Sequence, residues 1–320
     1  MNEILKKIYL AGMVPAAKIS DADNAVPTAK ALLRAGLPVI EVTFRTEAAA
    51  EAIRRISTEC PEILVGAGTV LTRAQVDAAL EAGAKFIVAP GFNPDTVKYC
   101  VEKGVTMIPG CTSCGEMEQA MALGIEAVKF FPAEALGGTA YLKAVAGPYK
   151  GLKFMPTGGV DEKNLMSYLS MSNVCACGGS FMVKESLIAA KKFDEIEKIT
   201  RNAVRVMLGM TIKHIGINCD GDDECKSVSN TLCDMFCVDP DVHEKAVFAG
   251  TLFEVLKSRG RGEKGHIALG TNSPDRARAY LESIGIEFDE STAAYNPDGT
   301  LKVVYTKNDV GGFAVHLLKN

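Results

Sequence analysis

No run of eighteen apolar residues occurs anywhere in the 320-residue sequence, so no helix is expected to span a bilayer. The first fifteen residues, MNEILKKIYLAGMVP, carry charges on both sides of a short apolar stretch and lack a small-residue cleavage site, which argues against a signal peptide. Positive charge is not in excess. The formal net charge is −4, which gives no electrostatic footprint for nucleic acid or an anionic membrane surface. Histidines number only four. Ten cysteines are many, but their spacing forms no secreted disulfide framework. Cys111 and Cys114, the one close pair, have no second CxxC to complete a zinc tetrad, and they read as small buried thiols beside a loop. The expected compartment is the cytoplasm. At 48% hydrophobic and 23% charged residues, the composition is that of an ordinary globular chain long enough for two domains.

What is present is a rhythm. From residue 14 to about 207, a glycine closes a helix-like stretch and a β-branched or aromatic run follows at once. Gly36 precedes VIEVTF, Gly83 precedes FIVAP, Gly104 precedes VTMIP and Gly124 precedes AVKFFP. The spacing, about 21 residues per unit, is that of a repeated βα structure. Eight strands are predicted, over 14–19, 39–45, 64–70, 86–91, 106–111, 127–132, 153–159 and 173–180. An α/β fold of the (β/α)₈ TIM-barrel type follows. A doubly wound open sheet is disfavoured, because VPAAKISDADNA after the first strand lacks the glycine-rich phosphate fingerprint.

Alternation along strand two puts Glu41, Thr43 and Arg45 on one face and Ile40, Val42 and Phe44 on the other. The outer face of a barrel packs under helices, so the polar trio is expected in the lumen, where charge is costly unless paired or used. In strand six, Lys129 stands among apolar residues on the face of Ala127 and Phe131. Burial there favours a neutral, nucleophilic amine; a lysine snorkelling from a strand end is the plainer reading. Strands seven and eight end in Gly158-Gly159 and in Gly178-Gly179-Ser180, where barrels commonly bind phosphate. Strand three ends with Gly68 and Thr69 at the same rim.

The ordered motifs VIEVTFRT, VGAGTV, VAPGF, IPGCTS, VKFFPAE, PTGGV and CGGSFMV resemble the 2-keto-3-deoxy-6-phosphogluconate / 2-keto-4-hydroxyglutarate aldolases over about residues 5–207. Ser113 stands where that family usually has Thr. The resemblance implies a lyase that cleaves a 2-oxo acid through a Schiff base on Lys129, with Glu41 as general acid/base and no cofactor for that reaction. It also implies Arg45 and Thr69 on the pyruvyl carboxylate, Gly158, Gly159 and Ser180 around a distal phosphate, and a homotrimer. The partner is a small 2-oxo acid, with no nucleic acid or membrane involved.

Near Gly209 the rhythm breaks, which sets the boundary between an aldolase domain at 1–209 and a second domain at 210–320. KHIGIN (213–218) echoes GHIALG (265–270), and LFEVLKS (252–258) echoes AVHLLKN (314–320). A duplicated β-α-β-β-β unit of α+β type is the simplest account, with modules at about 212–258 and 264–320. Three of the four histidines, His214, His266 and His316, fall at equivalent places in the two modules, and Glu254 takes the place of His316 in the first. His, Glu, His and His can ligate Zn²⁺, Ni²⁺ or a similar ion. The pattern resembles the glyoxalase I / vicinal oxygen chelate superfamily, most clearly over about 264–320, and that resemblance makes these four residues a divalent-metal set. His243 reads as solvated, and the acidic run Asp220–Glu224 as a helix N-terminus rather than a calcium loop. Two alternatives stay open: a phosphosugar isomerase or synthase barrel without imine chemistry, and a C-terminal module that binds a metabolite or aids assembly without catalysis.

Overall fold

A computed structural model describes residues 1–320, and the chain divides into two compact units, Met1–Met207 and Leu208–Asn320. The first unit opens with a helix, Glu3–Ala11, followed by eight short strands. These are β1 Met13–Ala17, β2 Val39–Thr43, β3 Leu64–Gly68, β4 Phe86–Val88, β5 Thr106–Ile108, β6 Ala127–Phe130, β7 Lys153–Pro156 and β8 Cys177–Gly179. All are paired in parallel. Six lie in the order β5-β4-β3-β2-β1-β8, and β6 pairs with β7. Single parallel bridges, Gly110↔Lys129 and Thr157↔Gly178, join the residues beyond β5 to β6 and those beyond β7 to β8. The result is a barrel-like parallel sheet with helices between its strands.

The glycine rhythm has its physical cause in the backbone. Gly36, Gly83, Gly104 and Gly124 all adopt positive φ, at 81°, 102°, 68° and 75°, just after their helices. A left-handed residue there ends the helix without a Cβ penalty and turns the chain back to the sheet. The helix Ala25–Arg34 buries Ala25, Ala29, Ala31 and Leu32, while Ile40, Phe86, Phe130 and Phe154 are fully buried from the strands.

The strands end earlier than the sequence suggests. The Phe44 amide makes the last rung of the β2–β3 ladder, to the Gly68 carbonyl at 2.7 Å, and the chain then leaves the ladder as the Arg45 amide turns back to the Thr43 carbonyl at 2.8 Å. The alternation expected through Arg45 therefore stops at Thr43, and Arg45 lies exposed past the strand end. Phe131 likewise falls outside β6 and is exposed.

The second unit runs β9 Thr211–Asn218, a helix Asp222–Phe236, β10 Pro240–Val242, β11 Ala246–Ala249 and β12 Phe253–Leu256. The same order then repeats: β13 Gly265–Thr271, a helix Pro274–Ser283, β14 Phe288–Tyr295, β15 Leu301–Thr306 and β16 Phe313–Lys319. The strands form one eight-stranded sheet, β10-β11-β12-β9-β13-β16-β15-β14. Within each repeat the first strand pairs in parallel with the last, and β9 meets β13 antiparallel at the centre. Asp222, Asp223 and Glu224 fill the first turn of their helix, where the dipole favours negative charge. Cys219 and Cys225 pack with Val247 and Val255 as small apolar groups. All ten cysteines are free, but Cys114 is exposed at the start of a helix, which corrects the expectation that both members of its pair are buried. No helix is long and apolar enough to cross a membrane.

Candidate functional site

In the first unit, β6 and β2 bring together two charged groups 88 residues apart in sequence. Lys129 is fixed through its backbone: its amide donates to the Pro109 carbonyl, and its own carbonyl accepts from the Cys111 amide, both at 2.8 Å. Its side chain is 8% exposed, and Nζ lies 3.5 Å from Oε1 of Glu41, which is 1% exposed. Nζ also stands 5.6 Å from the centre of the Phe131 ring. The second carboxylate oxygen of Glu41, Oε2, is buried with no hydrogen-bond partner. An unmet buried acceptor costs about 1–3 kcal/mol, more for a charged group, so this oxygen is poised for a partner that arrives from outside.

Gly68, at the end of β3, makes room for this arrangement. A Cβ there would sit 1.9 Å from Oε1 of Glu41. The next residue, Thr69, is half-buried and held at φ 55°, a conformation that costs a non-glycine residue roughly 1–2 kcal/mol. Thr43 differs from its neighbours in β2, because its hydroxyl donates to the Ala17 carbonyl at 3.2 Å and is structurally satisfied. The structure draws no contact from Arg45 or Thr69 to the Lys129–Glu41 pair.

After β7, Gly158 and Gly159 take φ values of 92° and 81° in succession, a turn that L side chains resist. Ser180 is exposed just past β8. Glu134, not singled out from sequence although it closes the VKFFPAE motif, braces this turn. Its amide donates to the Gly158 carbonyl at 3.1 Å, its carboxylate accepts from the Tyr168 hydroxyl, and a Cβ on Gly159 would meet its Cγ at 2.5 Å. Tyr141, also missed, stacks on Phe130 at 4.9 Å and donates to the Thr112 carbonyl at 2.7 Å. Burial pushes the neighbouring Cys111 thiol up to about 12, which leaves it a poor nucleophile.

The second unit gathers its own cluster on one face of the sheet. His214 comes from β9, Glu254 from β12, His266 from β13 and His316 from β16. Nε2 of His266 lies 3.1 Å from Nε2 of His214 and 3.1 Å from Oε2 of Glu254, and His214 is 3.3 Å from the same oxygen. Donor atoms of the three histidines all fall within 4.8 Å of one another. Both ring nitrogens of buried His316 lack any hydrogen-bond partner. Gly216, opposite His266 across β9, has no side chain for a reason: a Cβ would lie 2.1 Å from Cε1 of His266. Burial lowers His214 and pushes His316 down to about 3, while the His266 hydrogen bond holds the Glu254 carboxyl below its usual range against burial. His243 stands apart, exposed and 3.1 Å from Asp241.

Comparison with known proteins bears on the first unit. Residues 2–199 match a family model described as aldolase: KDPG and KHG aldolase. A 2-dehydro-3-deoxy-phosphogluconate aldolase of Treponema pallidum is 45% identical over 207 residues, 65% of this chain and 99% of the relative. The KHG/KDPG aldolase of Escherichia coli is 43% identical over 192 residues, 60% of this chain and 90% of that protein. Among solved structures, the KDPG aldolase of Legionella pneumophila, with pyruvate captured as a covalent carbinolamine intermediate, aligns with a TM-score of 0.61 at 34% identity. It covers 63% of this chain and 98% of its own. A 2-keto-3-deoxy-6-phosphogluconate aldolase of Zymomonas mobilis with 3-phosphoglycerate aligns at 0.59 and 36% identity, covering 63% and 95%.

Proposed function

The chain belongs to the KDPG and KHG aldolase family, and on that premise we propose that Lys129 and Glu41 carry its reaction. The protein is a Schiff-base aldolase, a lyase that cleaves 2-keto-3-deoxy-6-phosphogluconate and/or 4-hydroxy-2-oxoglutarate to pyruvate and an aldehyde. The aldehyde is glyceraldehyde 3-phosphate or glyoxylate, as the carbon count of each substrate requires. One observation carries the assignment of residues: a buried amine 3.5 Å from a buried carboxylate whose other oxygen has no partner.

The chemistry follows from that pair. Nζ of Lys129 adds to the C2 ketone, and loss of water gives an iminium. The C3–C4 bond then breaks with its electrons flowing into the iminium, while the C4 hydroxyl proton passes to Glu41, releasing the aldehyde and leaving an enamine. Glu41 returns the proton to C3, and water hydrolyses the imine to free pyruvate and the amine. Arg45 takes the pyruvyl carboxylate in a two-pronged grip that lysine does not offer, with the Thr69 hydroxyl beside it. The reading is supported by an exposed guanidinium just past β2 and by the constrained backbone at Thr69. Gly158, Gly159 and Ser180 receive the distal phosphate, supported by the left-handed turn that Glu134 braces. Borohydride reduction with pyruvate traps a covalent adduct on Lys129. Lys129→Met loses at least about 10³-fold in kcat, and a variant that still cleaves substrate at the wild-type rate overturns the assignment.

The same reading takes the first domain, 1–209, as a closed (β/α)₈ barrel, supported by the bridges that link β6 and β7 to their neighbours. Assembly as a homotrimer accompanies it by resemblance to the family. The second domain, 210–320, is read as a vicinal oxygen chelate-like fold, supported by its twice-repeated β-α-β-β-β order. His214, Glu254, His266 and His316 would hold a divalent ion such as Zn²⁺ or Ni²⁺. Donors around one such ion stand about 3.0–3.4 Å apart at bond lengths near 2.1 Å, and the contacts of 3.1–3.3 Å fit that spacing. His316, with both nitrogens unpartnered and a donor within 4.8 Å of those of His214 and His266, would complete the set by a small shift toward the ion. A bound ion supplies Lewis acidity toward an oxygen ligand. Metal analysis of the full chain against a His266→Ala/His316→Ala variant tests this: equal metal content in both removes the metal reading and leaves a non-metal module.

A further inference from the structure

The sheet of the second unit continues past its histidine cluster in a way that the metal alone does not explain. Tyr305, on β15, pairs in register with His316 and therefore shares its face, and the two rings stack at 4.6 Å and 18°. Asp289, on β14, is the register partner of Tyr305 on the other side. Over this row reaches Arg261, from the connection between β12 and β13. Its guanidinium lies 5.1 Å from the centre of the Tyr305 ring, and its Nη1 donates to Oδ2 of Asp289 at 3.2 Å. A cation thus stands one aromatic ring away from the cluster.

Arg261 is held in place from both sides. The side chain of Asn218 donates to the Gly262 carbonyl at 2.7 Å and accepts from the Gly260 amide at 2.9 Å, so one residue grips both neighbours of the arginine. Gly262 sits at φ 77°, and a Cβ there would strike the Gly265 carbonyl oxygen at 2.1 Å. The loop backbone is therefore fixed. The Arg261 side chain is 52% exposed, and its guanidinium makes a single hydrogen bond, through one of its five N–H donors. A pre-positioned fork with unused donors beside an aromatic face is the arrangement that recognises a carboxylate.

We infer that this face binds a small carboxylic acid and that Arg261 reads its carboxylate, a proposal that rests on the metal reading of His214, Glu254, His266 and His316. The charge balance points the same way. Three neutral imidazoles and one carboxylate around a divalent ion leave a net positive charge, to which Arg261 adds and which Asp289 only partly offsets. Phe248, edge-on to His214 at 6.1 Å, gives the opposite flank an apolar side for the carbon skeleton of the acid. Four protein donors leave an open position on a five- or six-coordinate ion for a second oxygen of the ligand.

The test uses the full chain, stripped with a chelator and reloaded with Co²⁺, whose visible absorption reports the metal in the second unit. Lactate is the probe, because a 2-hydroxy acid cannot form an imine with Lys129, and 1,2-propanediol is its counterpart without the carboxylate. Lactate is expected to shift the Co²⁺ spectrum at concentrations where propanediol does not. Arg261→Gln is expected to weaken lactate at least about tenfold while Co²⁺ affinity and aldolase turnover stay unchanged, and Arg261→Lys to recover part of the loss. Lactate binding that is indifferent to Arg261→Gln, or no lactate response from a chain that does bind Co²⁺, overturns the carboxylate proposal and leaves the metal reading standing. A wild-type chain that shows no Co²⁺ bands, or shows the same bands as His266→Ala/His316→Ala, overturns the metal reading and this proposal with it.

Discussion

The two units place their polar groups in opposite parts of a sheet. In the first, Lys129 lies one residue before the end of β6 and Glu41 two before the end of short β2, on the side where the parallel strands turn into loops carrying Thr69, Gly158 and Ser180. In the second, His214, Glu254, His266 and His316 project from the middle of a sheet face, one from each of four adjacent strands. Both nevertheless show the same two signs. Each holds a buried polar atom without a partner, Oε2 of Glu41 in one and the nitrogens of His316 in the other. Each also keeps a glycine where any side chain would collide with a functional group, Gly68 against Glu41 and Gly216 against His266. The difference lies in what surrounds the pair. A strand-end site can borrow further groups from loops, whereas a mid-sheet site is complete in its strands and depends on register.

The contrast breaks most visibly if acid and amine are not a working pair. Glu41→Gln keeps the shape but removes the proton acceptor, and kcat is expected to fall by about 10²–10⁴. Borohydride with pyruvate should still label Lys129, and metal content should not change. A variant with wild-type turnover would remove Glu41 from the reaction. Gly68→Ala comes next. Its Cβ would overlap Oε1 of Glu41, so the carboxylate must move, and a displacement of about 1 Å at a catalytic group can cost on the order of 10² in rate. Gly216→Ala is its counterpart in the other unit, with metal affinity expected to drop about 10–100-fold and aldol cleavage left as it was. Loss of turnover in that variant would show that the two sites are not independent.

Much of this was legible in the sequence because it rests on local periodicity. Alternation in VIEVTF puts Glu41 opposite the outward apolar residues, and the glycines after the helices carry the positive φ that the rhythm implies. The pairing of His214 with His266 and of Glu254 with His316 follows from a duplicated module. What alternation cannot show is where a strand stops. Arg45 continues the pattern on paper, but the ladder ends just before it, where its amide turns back to the Thr43 carbonyl. The roles of Gly216 and Glu134 are hidden for a different reason. Each is defined by a neighbour brought near only by tertiary register, His266 on β13 and the turn after β7. Exposure of Cys114 was missed because a two-residue spacer says nothing about which thiol faces the core.

The smallest expected effect concerns a rim loop that supports the strand-end site without joining it. Ser113 caps the helix Cys114–Ala122: its side chain accepts from the Glu116 amide, and the Glu116 carboxylate accepts in return from the Ser113 hydroxyl at 3.0 Å and from the Ser113 and Thr112 amides at 2.9 and 2.8 Å. Burial alone would raise the Glu116 carboxyl, yet these hydrogen bonds outweigh it and hold it below its ordinary 4.5. A carboxyl lowered in the folded state contributes stability above its unfolded value and loses it as pH falls through the folded one. Ser113→Ala is therefore expected to cost about 1 kcal/mol near pH 7, with a smaller difference from wild type at pH 3, read from chemical denaturation of the full chain. Turnover should stay within about twofold, because the hydroxyl is engaged with the helix. A kcat loss as large as that expected for Gly68→Ala would place Ser113 on the substrate, and the strand-end site would then extend one loop further around the rim than its geometry implies.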